Sequence, residues 1–405
     1  MKKIKKVCIS GMGYIGLPLA ALLTNKDYFV HGVEIDESII NLISKGEIHI
    51  AEPDLDNVVK TAVKSKKLTV DKNPIEADVF IIAVPTPFHK DLMNKNTNSP
   101  KPNTDFIFDA IKKILPYLTP GNLIILESTS PVGTTDLIAE FLIDQGVDLE
   151  SIFLAHSPER VLPGQIMKEL LENDRVVGGI NNNSTQMASK FYRSFIKGSV
   201  METNAKTAEM VKLTENSFRD VNLAFANELS ILCDDIDIDV TEVISLSNRH
   251  PRVNILNPGC GVGGHCISVD PWFIVDTANG NAKLIEQARR TNDHKADWVV
   301  ERVIERVKKF QEENGRLPSM SCMGLTFKAN SDDLRQSPAV YISKKLNELF
   351  KIQVVEPNIL IHKFLNLVDY KKGLLADICI YLVAHREFDP SNLKKNDLDF
   401  CGLND

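Results

Sequence analysis

Short apolar runs bounded by Gly, Pro, Asn or Asp recur through the first third of the chain: KVCIS (6–10), FVHGVEI (29–35), VFIIAVP (79–85) and NLIILEST (122–129). Stretches of helical spacing separate them, and this alternation predicts βαβ units around a parallel sheet. The polar stretch HKDLMNKNTNSPKPNTD (89–105) interrupts the rhythm and reads as a loop. Residues 206–235 and 284–313 contain no Pro or Gly and keep helical spacing, which predicts a central helical region. After ENGRLPS the β-type runs return as CMGLTF, IQVVEP and DICIYLVAH, with the helical SPAVYISKKLNELF among them. Three regions result: 1–200, 201–313 and 314–405. The two α/β ends read as distant echoes of one design.

The first strand runs directly into Gly11-Met12-Gly13-Tyr14-Ile15-Gly16 and then a helix. Gly11 suits the tight turn, Gly13 the approach of a pyrophosphate to the backbone, and Gly16 close helix-to-strand packing, with the helix N-terminus facing the phosphates. Tyr14 and Ile15 complete the turn as candidate cofactor contacts. The next strand ends at Glu34, the acidic residue expected about 20 positions on to accept a ribose 2′-hydroxyl. A carboxylate there repels a 2′-phosphate, so the expected cofactor is NAD rather than NADP. Two further strand ends, at Thr86 and Thr129, stop in small hydroxyl residues, as expected where an open sheet lines its ligand crevice. A Gly-rich turn serving packing alone, and ordinary strand-end caps, are the alternatives.

The net charge of −7, from 47 Lys and Arg against 54 Asp and Glu, leaves no electrostatic footprint for nucleic acid. No run of about 18 apolar residues occurs, so membrane insertion is not expected and a cytoplasmic location is the default. The seven cysteines, at 8, 233, 260, 266, 322, 379 and 401, are odd in number and mostly set in apolar runs, as free core thiols in a reducing compartment are.

One cysteine stands apart. NPGCGVGGHCISVDP (257–271) sets Cys266 among four glycines and closes on Asp270 before a proline. Cys260, His265 and Cys266 offer metal ligands, yet no second Cys or His pair lies at ligand spacing, so no metal is expected. An inert buried thiol would find little side-chain surface to pack against in such a turn. A nucleophile fits better: backbone N–H groups of Gly263, Gly264 and Cys266 supply a positive environment, and Asp270 stands four residues on as an acid, base or water holder. In TAEMVKLTENSFRDVNLAFANEL, Lys212, Asn216 and Arg219 fall on one helical stripe. That stripe is either a solvated face or a set of cationic and amide donors for an oxyanion. Glu159 and Arg160 follow a β-type run in SPERVLPG, and NRHPRVN adds His250 and Arg252; arginine forks suit pyrophosphate.

Together GMGYIGLP, ESTSPVGTT, SPERVLPG, AEMVKLTENSFRDVNLAFANEL, GVGGHCISVDP and GLTFKANSDDLRQSPA resemble, in that order, the UDP-glucose/GDP-mannose dehydrogenase family over essentially the whole chain. The resemblance implies an N-terminal Rossmann-type doubly wound parallel sheet for NAD, a central helical region with a long connecting helix for dimerisation, and a smaller C-terminal Rossmann-like α/β domain for the UDP-sugar. HCISVDPWFIV, IAEPDL and NRHPRVNI are most similar to the acetamido-sugar branch; Val269 stands where the UDP-glucose branch usually has lysine. The implied activity is a four-electron oxidation of the sugar C6 alcohol to a carboxylate with two NAD+, on UDP-N-acetyl-D-mannosamine, or alternatively UDP-N-acetylglucosamine.

By the same resemblance Cys266 is the nucleophile, Lys212 and Asn216 steady oxyanions and handle the alcohol proton, Asp270 orders water, and Glu159 is the base for thioester hydrolysis. Arg160, Val161, Arg219, His250, Arg252, Gly263 and Lys328 match sugar-nucleotide contacts, along with Lys212 and Asn216. Arg335 matches an arginine near the cofactor. A homodimer or higher homo-oligomer is implied. Cys260 replaces a proline common in the branch, and Glu34 stands where aspartate is frequent. The residues alone leave two rivals open: a thiol hydrolase or transferase with a dinucleotide fold, and a silent NAD-binding regulator.

Overall fold

Each apolar run of the N-terminal rhythm becomes a strand in the computed structural model, which describes residues 4–50, 52–94, 99–162 and 164–403. The backbone divides into two compact units, Met1–Thr214 and Glu215–Asp405, the boundary falling inside the helix Ala205–Asp235. The first unit carries β1 (Lys6–Ser10), β2 (Phe29–Val33), β3 (Leu68–Asp71), β4 (Val79–Ile82), β5 (Phe88–Met93), β6 (Pro100–Pro102), β7 (Leu123–Leu126), β8 (Phe153–His156), β9 (Arg175–Gly179) and β10 (Val200–Asn204).

Eight of these form one sheet in the order β10-β9-β8-β7-β4-β1-β2-β3. From β3 to β8 every pairing is parallel, as the alternating pattern predicts. VFII and LIIL are buried at every position, because a parallel sheet is covered on both faces. Successive side chains feed opposite layers: Val79 and Ile81 join the core with Leu17, Val59 and Phe191, whereas Phe80 and Ile82 join Ile107, Ile111 and Ile138. The edge departs from a purely parallel sheet, since β9 pairs antiparallel with β8 and then parallel with β10.

The stretch read as a loop at 89–105 instead contains a ribbon, β5 against β6, antiparallel; residues 95–98 lie outside the described residues. This pair makes a sheet of its own. Its described residues join neither apolar core of the unit, so the apolar alternation by which strands are recognised is not required, and the prolines of β6 sit on an edge where a missing N–H costs little. The helix that follows begins at Asp105.

In the second unit β11 (Met320–Met323), β12 (Gln353–Val355), β13 (Ile378–Tyr381) and β14 (Leu398–Asp399) form a parallel sheet in the order β12-β11-β13-β14. The predicted helices appear as Ala205–Asp235 and Lys283–Asn314. Buried polar groups join residues of the two helices within this unit. Arg289 pairs with Asp220, Asn292 donates to the Asp220 carboxylate at 2.8 Å, and Asn227 donates to Asn292 at 2.8 Å. Asn227 also accepts the Gly259 N–H at 2.9 Å, tying the start of the glycine-rich loop to the helices.

The two sheets repeat one local design. Gly11 follows β1 and Gly324 follows β11, each at φ +93°. The Gly11 N–H donates to Val33 O, and that of Gly324 to Val355 O, both at 2.8 Å. The next residue then donates its N–H to a carboxylate one position past the neighbouring strand: Met12 to Glu34 Oε2 at 3.1 Å, Leu325 to Glu356 Oε2 at 2.7 Å. A Cβ on Gly11 would lie 2.5 Å from the Ala83 carbonyl beyond β4, and one on Gly324 2.5 Å from Val383 beyond β13.

Lys295 is buried, donating to Ser230 Oγ at 2.7 Å with its ammonium 3.6 Å from the Trp298 ring centre. Burial lowers its pKa to about 7. Between that value and the ordinary lysine pKa the folded state binds fewer protons than the unfolded, so stability rises with pH across this window. Denaturant unfolding from pH about 7 to 9 should show a rise of order 1 kcal/mol per pH unit that Lys295→Met removes. Equal slopes in the two proteins would contradict the assignment.

Candidate active site

The order in which strands are added to the sheet reverses between β1 and β4, and the Gly11–Gly16 turn leaves the C-terminal end of β1 there. A Cβ at Gly16 would collide with the Gly11 carbonyl oxygen, while one at Gly13 would meet nothing within 4 Å. Gly16 is therefore a packing residue, and Gly13 leaves the outer face of the turn open. No side chain caps the helix Gly16–Thr24; Ile15 is its N-cap residue, and Tyr14 packs against the sheet core. An uncapped helix N-terminus behind an open glycine is suited to a pyrophosphate. Glu34 is half-buried, and its Oε1 accepts the Ile35 and Asp36 N–H groups at 2.8 and 3.2 Å. These residues fit a dinucleotide. Thr86 and Thr129 lie together beyond β4 and β7, Thr86 Oγ1 donating to the Thr129 carbonyl at 2.7 Å.

Glu209, buried near the start of the helix Ala205–Asp235, accepts from the Gly133 and Thr135 N–H groups at 2.6 and 2.8 Å and from the Thr135 hydroxyl. The turn beyond Thr129 and the helical stretch leading to Lys212 are thereby joined. Burial raises the pKa of Glu209.

Glu159 is buried, bound by Arg175 through Oε2 and by the Arg160 N–H through Oε1 at 2.7 Å. Arg175 also reaches Glu127 Oε1 at 3.2 Å, and Tyr192 donates to the same oxygen at 2.5 Å while its ring lies under the guanidinium. One buried cation thus serves two carboxylates. Burial pushes Glu127 up to about 7 against the pull of Arg175. The Arg160 guanidinium donates to the Asp174 carbonyl, and Val161 packs against the sheet core.

Cys266, in the second unit, is exposed, whereas Cys8, Cys233, Cys260, Cys322 and Cys379 are buried and Cys401 is half-buried; none of the seven is in a disulfide. The Cys266 carbonyl accepts from the N–H groups of Val269 and Asp270 at 3.1 and 2.8 Å, and Asp270 opens the helix Asp270–Thr277. Asp270 is itself buried and takes an N–H of the Asn216 amide at 2.5 Å. Cys266, Asp270 and Asn216 are thus brought into one cluster.

The expected role of the glycines needs correction. The Gly264 N–H is used on the Arg335 carbonyl at 3.1 Å and is not held for the thiol. A Cβ on Gly263 would lie 2.7 Å from Phe327 Cβ and 2.8 Å from Pro338 Cδ, and one on Gly264, at φ +84°, would lie 3.0 Å from the Phe327 ring. Close packing of the 324–338 segment, more than room for a ligand, requires glycine here.

Lys212 is half-buried, whereas Arg219, His250, Arg252 and Lys328 are exposed. Arg335 forks onto the Asp333 carboxylate at 2.9 and 2.6 Å. Sequence reading missed Glu127, Arg175, Tyr192, Glu209 and Phe327. Charged residues ending or opening apolar strands, as Glu127 and Arg175 do, were the available signal; their pairing was not visible across 48 residues. Among the described residues no group of three or more His, Cys, Asp or Glu is placed to hold a metal ion, and no helix is long and apolar enough to cross a membrane.

Residues 5–196, 206–294 and 321–398 match in turn the NAD binding, central and UDP binding domains of the UDP-glucose/GDP-mannose dehydrogenase family. The chain belongs to this family. It is 49% identical over 407 residues to the UDP-N-acetyl-D-mannosamine dehydrogenase of Campylobacter jejuni, covering 96% of this chain and 97% of that one. It is 46% identical over 400 residues to the NDP-N-acetyl-D-galactosaminuronic acid dehydrogenase of Ralstonia nicotianae, covering 95% and 92%. The solved UDP-N-acetyl-mannosamine dehydrogenase of Staphylococcus aureus superposes with a TM-score of 0.86 at 37% identity, over 98% of this chain and 95% of that one. As a nucleotide-sugar dehydrogenase of this family, the protein oxidises a UDP-sugar with NAD. The hydrolase and silent-binder readings fall with that membership.

Gly13→Ala should fold normally yet bind NAD+ more weakly by about tenfold, since its methyl occupies the open face of the turn. Gly16→Ala should instead lower the melting temperature, by several degrees for each kcal/mol of strain. Thermal melts with and without NAD+ distinguish the two; equal behaviour of both variants contradicts this division of roles.

Proposed function

We propose that this dehydrogenase converts UDP-N-acetyl-D-mannosamine to UDP-N-acetyl-D-mannosaminuronate by two successive oxidations at C6. The observation that carries the reading is the single exposed thiol, Cys266, in a turn that ends at the Asn216–Asp270 pair. The similarity to the Campylobacter jejuni enzyme supports the choice of sugar.

Two molecules of NAD+, one for each oxidation, would supply the hydride acceptors, with the Gly11–Gly16 turn and Glu34 holding each in turn and Thr86, Thr129 and Arg335 as further contacts. Lys212 takes up the proton of the C6 alcohol, directly or through a water. Cys266 Sγ adds to the aldehyde carbon, giving a thiohemiacetal whose oxyanion receives hydrogen bonds from Lys212 and Asn216. Loss of the second hydride leaves a thioester. Water, deprotonated at Glu159 and ordered by Asp270, adds to the acyl carbon; the C–S bond breaks, the thiolate returns and the uronate leaves. The covalent link prevents escape of the aldehyde. Arg160, Val161, Arg219, His250, Arg252, Gly263 and Lys328 contact the UDP-sugar, whose pyrophosphate suits the exposed cations.

In the same reading, residues 1–200 bind NAD, 201–313 dimerise and 314–405 bind the UDP-sugar. Phe218, Phe225 and Leu232 form an exposed apolar stripe on the helix Ala205–Asp235, Phe218 with 71% of its surface open, which supports self-association there.

Two NADH per UDP-N-acetyl-D-mannosamine are expected, with kcat/KM for UDP-N-acetylglucosamine lower by about tenfold or more. Cys266→Ala should bind the UDP-sugar but form almost no uronate; normal uronate output from that variant excludes the covalent route. Phe218→Glu with Phe225→Glu should elute as a monomer in gel filtration, and an unchanged elution volume removes this helix from the interface.

A further inference from the structure

The repeated strand–turn design has a different fate in the second unit. Glu34 remains half-buried, and the helix beside it has no side-chain cap. Glu356, its counterpart, is fully enclosed and saturated. Its Oε2 accepts from the Leu325 and Thr326 N–H groups at 2.7 and 3.2 Å, and its Oε1 from the Asn358 N–H at 2.9 Å. The Asn358 side-chain amide also donates to Oε1 at 3.2 Å, and His385, likewise fully buried, places Nε2 at 3.1 Å from Oε2. His385 Nδ1 accepts the Asn330 N–H at 3.0 Å, so the neutral ring carries its proton on Nε2 and donates it to Glu356. The following helix is capped by Ser337 and starts with Pro338. The imidazole covers a carboxylate whose counterpart in the first unit, Glu34, stays half-buried.

These bonds bracket one short segment. Glu356 holds residues 325 and 326, His385 holds residue 330, and the Thr326 hydroxyl donates to the Lys328 carbonyl at 2.9 Å. Phe327 and Lys328 lie between the anchors. Gly263 and Gly264 rest on Phe327 with no space for a side chain, and Cys266 follows two residues later.

We propose that the His385–Glu356 pair is a positioning element of the active site, fixing the Phe327–Lys328 segment and, through Phe327, the backbone that presents Cys266. The inference rests on the reading of Cys266 as nucleophile and Lys328 as a substrate contact. Neither His385 nor Glu356 touches substrate in it. The duplicated nucleotide turn has been turned inward, its carboxylate ordering a loop instead of a ligand.

The test uses the full-length enzyme and the variants Glu356→Gln, His385→Ala and His385→Asn, the last keeping an acceptor near the Nδ1 position. Glu356→Gln and His385→Ala should raise KM for the UDP-sugar by about tenfold, more than they lower kcat, and leave KM for NAD+ within about twofold. The alkylation rate of Cys266 by iodoacetamide should change by about threefold or more, and His385→Asn should recover part of both effects. Phe327→Ala, at a half-buried site, should give the same pattern if a buried variant fails to fold. A lowered melting temperature with KM and alkylation rate both within about twofold of the parent makes the pair merely structural and overturns the proposal. Absence of UDP-sugar oxidation by the parent would instead refute the proposed function, while the alkylation ratio would still decide the positioning role.

Discussion

A carboxylate placed one residue past a strand, receiving the backbone N–H that follows the neighbouring strand's glycine, organises both α/β sheets of this protein. The bond stitches adjacent strand ends where the sheet's own ladder stops, and it needs glycine at the turn because the backbone there is left-handed and pressed against a third strand end. In the first unit that arrangement leaves the carboxylate half-buried beside an uncapped helix, a combination matched to a ribose and a pyrophosphate. In the second, His385 closes the carboxylate and Ser337 caps the helix. One design has thereby yielded a cofactor cradle and a loop scaffold.

Buried charge is the second theme. Arg175 sits between Glu127 and Glu159 with Tyr192 against it, and Arg289 between Asp220 and Asp293. Removing one member of such a cluster leaves an uncompensated charge and costs about 3–5 kcal/mol. Glu127 rises to about 7 because burial opposes its ionisation. Among the thiols, burial pushes Cys8 and Cys379 up to about 11 and Cys260 and Cys322 up to about 12, so these are kept as inert thiols. Cys266 is the exposed one.

Much of this was legible in the chain. Fully apolar runs such as VFII and LIIL are recognisable because both faces of a parallel strand are buried, and the two long helices because Pro and Gly are missing from them for some 30 residues each. The Gly11–Glu34 spacing revealed the cofactor turn for the same reason: its residues are close in sequence and their types are dictated by backbone geometry. The β5–β6 ribbon left no signature because its described residues join neither apolar core. Likewise Glu356 and His385 are 29 residues apart, and each alone reads as an ordinary strand-end polar residue. The glycines around Cys266 were legible as a special turn, but their use by Phe327 and Pro338 was not, since that depends on a segment some 60 residues downstream.

The proposed chemistry requires a covalent bond between the Cys266 sulfur and the half-oxidised sugar. Acid quenching of the enzyme during turnover of UDP-N-acetyl-D-mannosamine with excess NAD+, followed by peptide mass spectrometry, addresses that bond directly. A sugar-nucleotide acyl adduct on the peptide carrying Cys266, absent when NAD+ is omitted, is the predicted result. Full conversion to the uronate with Cys266 unmodified at every time point would contradict it.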